Sequence, residues 1–171
     1  MTNQDVTRYF KEYVLPPEGF IYNDIQREID LARSGNPGGN FLAALGLLCY
    51  TEFMGAIVSK GEGSYTKQFK AFFRLMGENY RQLIDDKELD VYKFFRCGMV
   101  HAYFVKDCDI KMLNDNHPAG IIIKPDGKYL FVVEKYFDDF MKACNKVYED
   151  MITETEPYPP STFPEAGPAC S

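Results

Sequence analysis

Two residues in one short run could do chemistry together. Arg96 and His101 stand five apart in the stretch RCGMVHAY, and Tyr103 follows two residues later. An imidazole with a pKa near 6.5 can take or give a proton at neutral pH, and a guanidinium fork suits the charge of a phosphorane-like transition state. The pair therefore suits metal-free cleavage of RNA. That reaction needs a base for the ribose 2′-hydroxyl, an acid for the leaving 5′-oxygen and positive charge on the phosphate. One chain offers one such histidine, so one acid/base role is missing. His117, in the loop Asn114-Asp115-Asn116-His117-Pro118, reads as an exposed loop histidine and a poor second. Geometry adds a condition: at 3.6 residues per turn, Arg96 and His101 lie about 140° apart, whereas Arg96 and Tyr103 share a face. Convergence requires the arginine to wrap around the helix, a distortion near Gly98, or a second subunit.

The setting of that pair sharpens the question. Leu89 to Val105 is apolar almost all round, which predicts a central helix surrounded by others. A buried guanidinium or imidazolium needs a carboxylate, a carbonyl, another subunit or a bound anion. Glu52 is the one ionisable residue in the most apolar run, Phe41 to Val58. It is either the partner that Arg96 or His101 requires or a partly exposed carboxylate at a helix edge. The run just reaches the length of a membrane span. Glu52 within it, the lack of flanking charge asymmetry and the lack of another candidate span predict a buried core helix and no membrane association. Gly46 and Gly55 would let a neighbouring helix approach closely, at about 1 kcal/mol of helix stability each.

The remaining elements follow from periodicity and punctuation. Thr2 to Val14 predicts a short amphipathic helix stopped by Pro16-Pro17, and Phe20 to Arg33 a second, ended by the breaker cluster Ser34 to Gly39. That cluster and Gly61-Glu62-Gly63 follow no strand and continue into no phosphate-loop pattern, so both read as connectors. Tyr65 to Met76 predicts a helix with Phe69, Phe72, Phe73 and Met76 inward. Lys67, Lys70 and Arg74 form a basic stripe on it, either a solvated face or a surface for RNA phosphates or an acidic partner. Glu78 to Leu83 predicts another turn or two of helix and Asp109 to Leu113 a short strand. Ile121 to Lys124 and Lys128 to Val133 around Pro125-Asp126-Gly127 predict a hairpin. Glu134 to Met151 predicts the final helix. The expectation is a mainly α domain over residues 1–152, a bundle of five to six helices with a small β hairpin before the last. A proline-rich, flexible tail over 153–171 follows.

Composition sets outer bounds. The chain has 171 residues, 46% of them hydrophobic and 15% aromatic, enough for one well-cored domain. A net charge of −6 argues against gripping duplex nucleic acid by bulk charge. Cys49, Cys97, Cys108, Cys144 and Cys170 are scattered without a CxxC, which predicts reduced thiols in a cytoplasmic protein, with no disulfide framework and no zinc site. The N-terminus has no charged-then-apolar signal pattern. No cofactor or metal is expected.

The run Arg96 to Tyr103 resembles the signature of HEPN domains, small helical bundles found in many prokaryotic RNases and toxins. Their pattern is an arginine, four to six residues, then a histidine on a late helix. The resemblance covers eight residues tightly and the bundle loosely over residues 20 to 152. It implies a HEPN-like bundle, a homodimer that brings two motifs to a shared cleft, and a metal-independent endoribonuclease that is toxin-like or defence-related. In the toxin branch, a tyrosine two residues after the histidine is matched by Tyr103. The cognate antitoxin there is a nucleotidyltransferase, which implies a partner able to adenylylate that tyrosine. The alternative is a non-catalytic HEPN-like module that binds a protein or a nucleotide. Cys97, where catalytic members commonly carry a polar residue, and the net acidity favour that module.

Overall fold

The computed structural model describes residues 2–36, 38–102 and 107–153. Seven helices and three strands follow in order. They are α1 Asn3–Tyr13, α2 Phe20–Arg33, α3 Asn40–Val58, α4 Tyr65–Phe73 and α5 Glu78–Asp85; then α6 Gly98–Ala102, β1 Cys108–Lys111, β2 Ile121–Ile123, β3 Tyr129–Val132 and α7 Val133–Thr153. A 3-10 turn, Arg74–Met76, extends α4, and a π-helical segment, Tyr92–Cys97, runs into α6. The domain is mainly α with a small sheet, and the described residues form seven helices where five to six were expected. The expected tail over 153–171 lies outside the described residues beyond Thr153.

Local chemistry explains the helix starts. The Thr2 hydroxyl accepts from the Asp5 amide while Asp5 accepts from the Thr2 amide, a reciprocal cap on α1. Ser64 caps α4 by accepting from the Lys67 amide. Each helix then buries its apolar stripe: Val6 and Phe10 on α1, Ile21, Ile25 and Ile29 on α2, Phe69, Phe72 and Phe73 on α4.

The centre of the bundle is α3. It buries Ala43, Ala44, Leu47, Leu48, Thr51, Met54, Gly55 and Ile57 against α2, α4 and α7. Among the described residues it is the one helix long and apolar enough to cross a membrane. In this fold those apolar positions serve as the surface on which three helices pack. Gly55 sets its closest crossing, since a Cβ there would lie 1.9 Å from the Gln68 carbonyl oxygen on α4. Gly46 faces only ordinary contacts, the nearest 3.6 Å away at Ile25, so just one of the two glycines is needed for close approach.

The described part of the Leu89 to Val105 run, residues 89–102, is not the central helix that its composition predicted. Val91, Phe95 and Met99 are buried, whereas Val100 is 43% exposed and His101 is exposed. It lies on the flank of α3 and α4. An apolar run does not distinguish a helix surrounded by its own chain from one that leaves apolar surface uncovered.

Two buried polar ties fix α7 to the rest. The Thr51 and Tyr136 hydroxyls are 2.8 Å apart, with Thr51 donating to the Leu47 carbonyl. The Tyr80 hydroxyl donates to Asp139 at 2.8 Å and accepts the Gly120 amide at 3.0 Å, and Lys135 pairs with Asp139. The expected hairpin is present: β2 and β3 are antiparallel, with Ile122 opposite Leu130. The first strand joins the other side of β3 in parallel, giving the order β1-β3-β2.

Candidate functional site

The described part of the Arg96 motif is built on a π-helical segment. The Gly98 amide donates to the Lys93 carbonyl five residues back, so the segment turns through less than an α-helix's 100° per residue. Spacing gives the reason. Val91, Phe95 and Met99 recur every four residues, and on a regular α-helix each step of four drifts by about 40°. Underwinding keeps those three side chains on one buried face. The same adjustment stacks Tyr92 under Arg96, and both reach α3. The underwinding ends at Cys97, before Gly98, and brings Arg96 to α3 rather than to His101.

Glu52 receives them. Its Oε2 accepts from the Tyr92 hydroxyl at 2.9 Å and lies 3.3 Å from Arg96 Nε. Both side chains of the ion pair are about one-fifth exposed, at 19% for Arg96 and 18% for Glu52. The Arg96 Nε is buried and poorly aligned for a hydrogen bond, so this contact is an ion pair alone. No hydrogen bond to the terminal guanidinium nitrogens comes from the described residues. Glu52 is therefore the partner of Arg96. Among the described residues, no hydrogen bond or ion pair reaches the His101 side chain.

The electrostatics follow from this packing. Burial, and then the hydrogen bond to Glu52, pushes the Tyr92 phenol up to about 12. Burial also raises the Cys49 thiol, against the pull of the nearby Arg96 guanidinium. Tyr92 and Cys49 belong to this cluster and sequence reasoning missed both. Their signal was helical spacing, Tyr92 four residues before Arg96 and Cys49 three before Glu52.

The other expected site residues sit elsewhere. Lys70 pairs with Asp90 at 3.6 Å and Arg74 with Asp85 at 2.9 Å, while Lys67 is exposed. The basic stripe is thus largely answered by acids from the α5 end and the approach to the π segment. His117 is half-buried, its backbone amide donating to Asn114 Oδ1 at 2.8 Å. Tyr103 lies outside the described residues. Cys49, Cys97, Cys108 and Cys144 are free thiols.

No family model, curated protein or solved structure matches the chain. The cluster has to be read from its own geometry. Glu52, held by the Tyr92 hydroxyl, pairs with the inner edge of Arg96, and His101, exposed, follows five residues along the chain.

Proposed function

We propose that this chain is a HEPN-like, metal-independent endoribonuclease that works as a homodimer. The observation that carries the reading is the inner-edge pairing of Arg96 with Glu52, with an exposed His101 five residues further along the same helical run whose side chain meets no ion pair or hydrogen bond among the described residues. A guanidinium fixed from behind keeps its outer donors oriented toward a phosphate, which is how preorganised charge lowers a barrier. A stripe on α3 supports the second subunit. Leu42 is 65% exposed, and Leu45, Cys49 and Glu52 continue half-buried at helical spacing toward Arg96. Val100, 43% exposed, adds apolar surface beside His101. A second copy seated there would cover this surface and supply the missing acid/base.

The step then balances without a cofactor. One imidazole takes the proton of the ribose 2′-hydroxyl, and that oxygen attacks phosphorus. The P–O5′ bond breaks, and an imidazolium from the other subunit protonates the leaving oxygen. Arg96 faces the charge that builds on the non-bridging oxygens. The products are a 2′,3′-cyclic phosphate and a 5′-hydroxyl. In the toxin-like setting, the proposed partner is a nucleotidyltransferase antitoxin.

One observation favours the second reading, a non-catalytic module for a protein or nucleotide. Glu52 offsets the Arg96 charge, and acids answer Lys70 and Arg74, so little net positive surface is left for RNA. A cleavage assay separates the two. The enzyme should cut RNA in EDTA, fail on a 2′-deoxy substrate, and lose at least ~10²-fold in rate in folded His101→Ala. Arg96→Ala should lose a comparable amount. Absence of cleavage across pH 6 to 8, or full activity in His101→Ala, would sink the enzyme reading.

A further inference from the structure

A buried N–H of Arg96 goes unpaired although a carboxylate stands next to it. The Nε atom has no hydrogen-bond partner among the described residues, and Glu52 Oε2 lies 3.3 Å away, near enough for charge attraction but poorly aligned for a bond. An unpaired buried donor is costly, and a carboxylate free to turn would remove that cost. Guanidinium and carboxylate ordinarily close side-on, through two parallel N–H···O bonds. Here they do not, and the reason stands on the other side of Glu52. The Tyr92 hydroxyl donates to the same Oε2 at 2.9 Å.

Tyr92 is well placed to hold that oxygen. Its ring packs edge-to-face on the buried Phe69 of α4, with centroids 5.5 Å apart. It also stands four residues before Arg96 on the π-helical segment, so one element presents both groups to α3. Burial, and then the bond to Glu52, pushes its phenol up to about 12, so it remains a donor across neutral pH. Among the described residues, Glu52 Oε1 accepts no hydrogen bond and the terminal guanidinium nitrogens donate none. The pair is held half-closed, with each partner keeping bonding capacity that the other could take up.

We propose that Tyr92 is a positioning residue: by holding Glu52 Oε2 it keeps the carboxylate from closing side-on over Arg96, and so reserves the terminal guanidinium nitrogens for a phosphate group. That the anion is a phosphate rests on the ribonuclease reading; the restraint on Glu52 rests on its contacts alone. Loss of the hydroxyl then has an effect opposite to that of an ordinary lost hydrogen bond. Glu52 turns and pairs Nε and a terminal nitrogen at once. The ion pair tightens, and the phosphate loses its donors.

Inorganic phosphate is the probe, read on the full chain through the Arg96 Nε–H signal, which is identified by its loss in Arg96→Lys. The wild type should show a saturable shift. In Tyr92→Phe, which keeps the ring on Phe69, the signal should move before phosphate is added and exchange more slowly with water. Phosphate should then bind at least about tenfold more weakly, the worth of a hydrogen bond to a charged group. In Glu52→Gln, whose side chain carries no charge to close on Arg96, adding Tyr92→Phe should leave phosphate affinity unchanged. An equal loss in that background would make Tyr92 a purely structural contact and overturn the proposal. So would unchanged phosphate affinity in Tyr92→Phe, or no shift in the wild type. A 2′-deoxy dinucleotide should displace phosphate if the site serves a nucleic-acid backbone, and fail to displace it if the site serves free phosphate; the tyrosine keeps its role in both. Phosphate binding with this pattern in a chain that cuts no RNA likewise upholds that role, and sinks the ribonuclease reading alone.

Discussion

Glu52 is a carboxylate in an otherwise apolar helix, and its two contacts explain why it is there. It lies against Arg96 at 3.3 Å and accepts from Tyr92 at 2.9 Å. In Glu52→Gln, a mostly buried guanidinium keeps its desolvation cost and loses its counter-charge. The expected loss is about 1–3 kcal/mol, below that of a fully buried pair because each partner is one-fifth exposed. The midpoint of urea unfolding reads it, and an unchanged midpoint would make the pair energetically idle. The same substitution should bring the Tyr92 phenol down from about 12, because one cause of that elevation is removed. Ultraviolet titration of the phenols checks this. Tyr80→Phe tests the other polar tie. It strips Asp139 and the Gly120 amide of a partner at once, with an expected cost of about 1–3 kcal/mol.

At the level of elements, the packing of α3 on α4 depends on one glycine. A methyl at Gly55 would sit 1.9 Å from a backbone carbonyl, and backbone cannot swing aside as a side-chain tip can. Gly55→Ala should therefore push the two helices apart and cost about 2–3 kcal/mol or more, despite alanine's better helix propensity. Gly46→Ala is the contrasting case. Its nearest neighbour stands at 3.6 Å, so the propensity gain of up to about 1 kcal/mol should show as a rise in stability. Thermal or urea unfolding of the pair gives opposite signs if the crossing is as described. Equal effects would mean that α3 and α4 do not meet at Gly55.

For the molecule as a whole, the same burial that makes the core sets its response to alkali. Burial raises the Cys108 thiol from 9.0 to about 12, and the Tyr9 and Tyr92 phenols from 10.0 to about 12. Tyr136 and Cys144 are also raised, by burial above all. Each of these groups holds its proton more tightly in the folded chain than in the unfolded one. Between the unfolded and folded values the native state binds more protons, so stability falls as pH rises. The contribution is fully present below about pH 9 and is lost progressively from there through pH 12. Denaturation midpoints at pH 7, 9, 10 and 11 should decline across the last three. A flat profile would mean that these groups are not buried in solution.

Much of the architecture was legible in the residues because it rests on local rules. Ser34 to Gly39 ends α2, Pro125-Asp126-Gly127 turns the hairpin, and the spacing of Tyr136, Phe137, Phe140 and Cys144 marks the buried face of α7. The Arg96 motif could be found the same way, and Glu52 could be named as one of two alternatives for its setting. What tertiary structure decided was every matter of pairing at a distance. Composition is indifferent to whether an apolar helix lies at the centre or on a flank, so α3 and the 89–105 segment could not be ranked. Strand patterns specify neighbours joined by a turn, but not that β1 lies parallel to β3 across a crossover. The π-helical winding of Tyr92–Cys97 left only a trace in sequence, a hydrophobic spacing of four that an α-helix would let drift. That winding reconciles the buried face with a carboxylate on α3, and so it settles where Arg96 points. Spacing along a chain carries the local choice, whereas the angle between two helices exists only once they have packed.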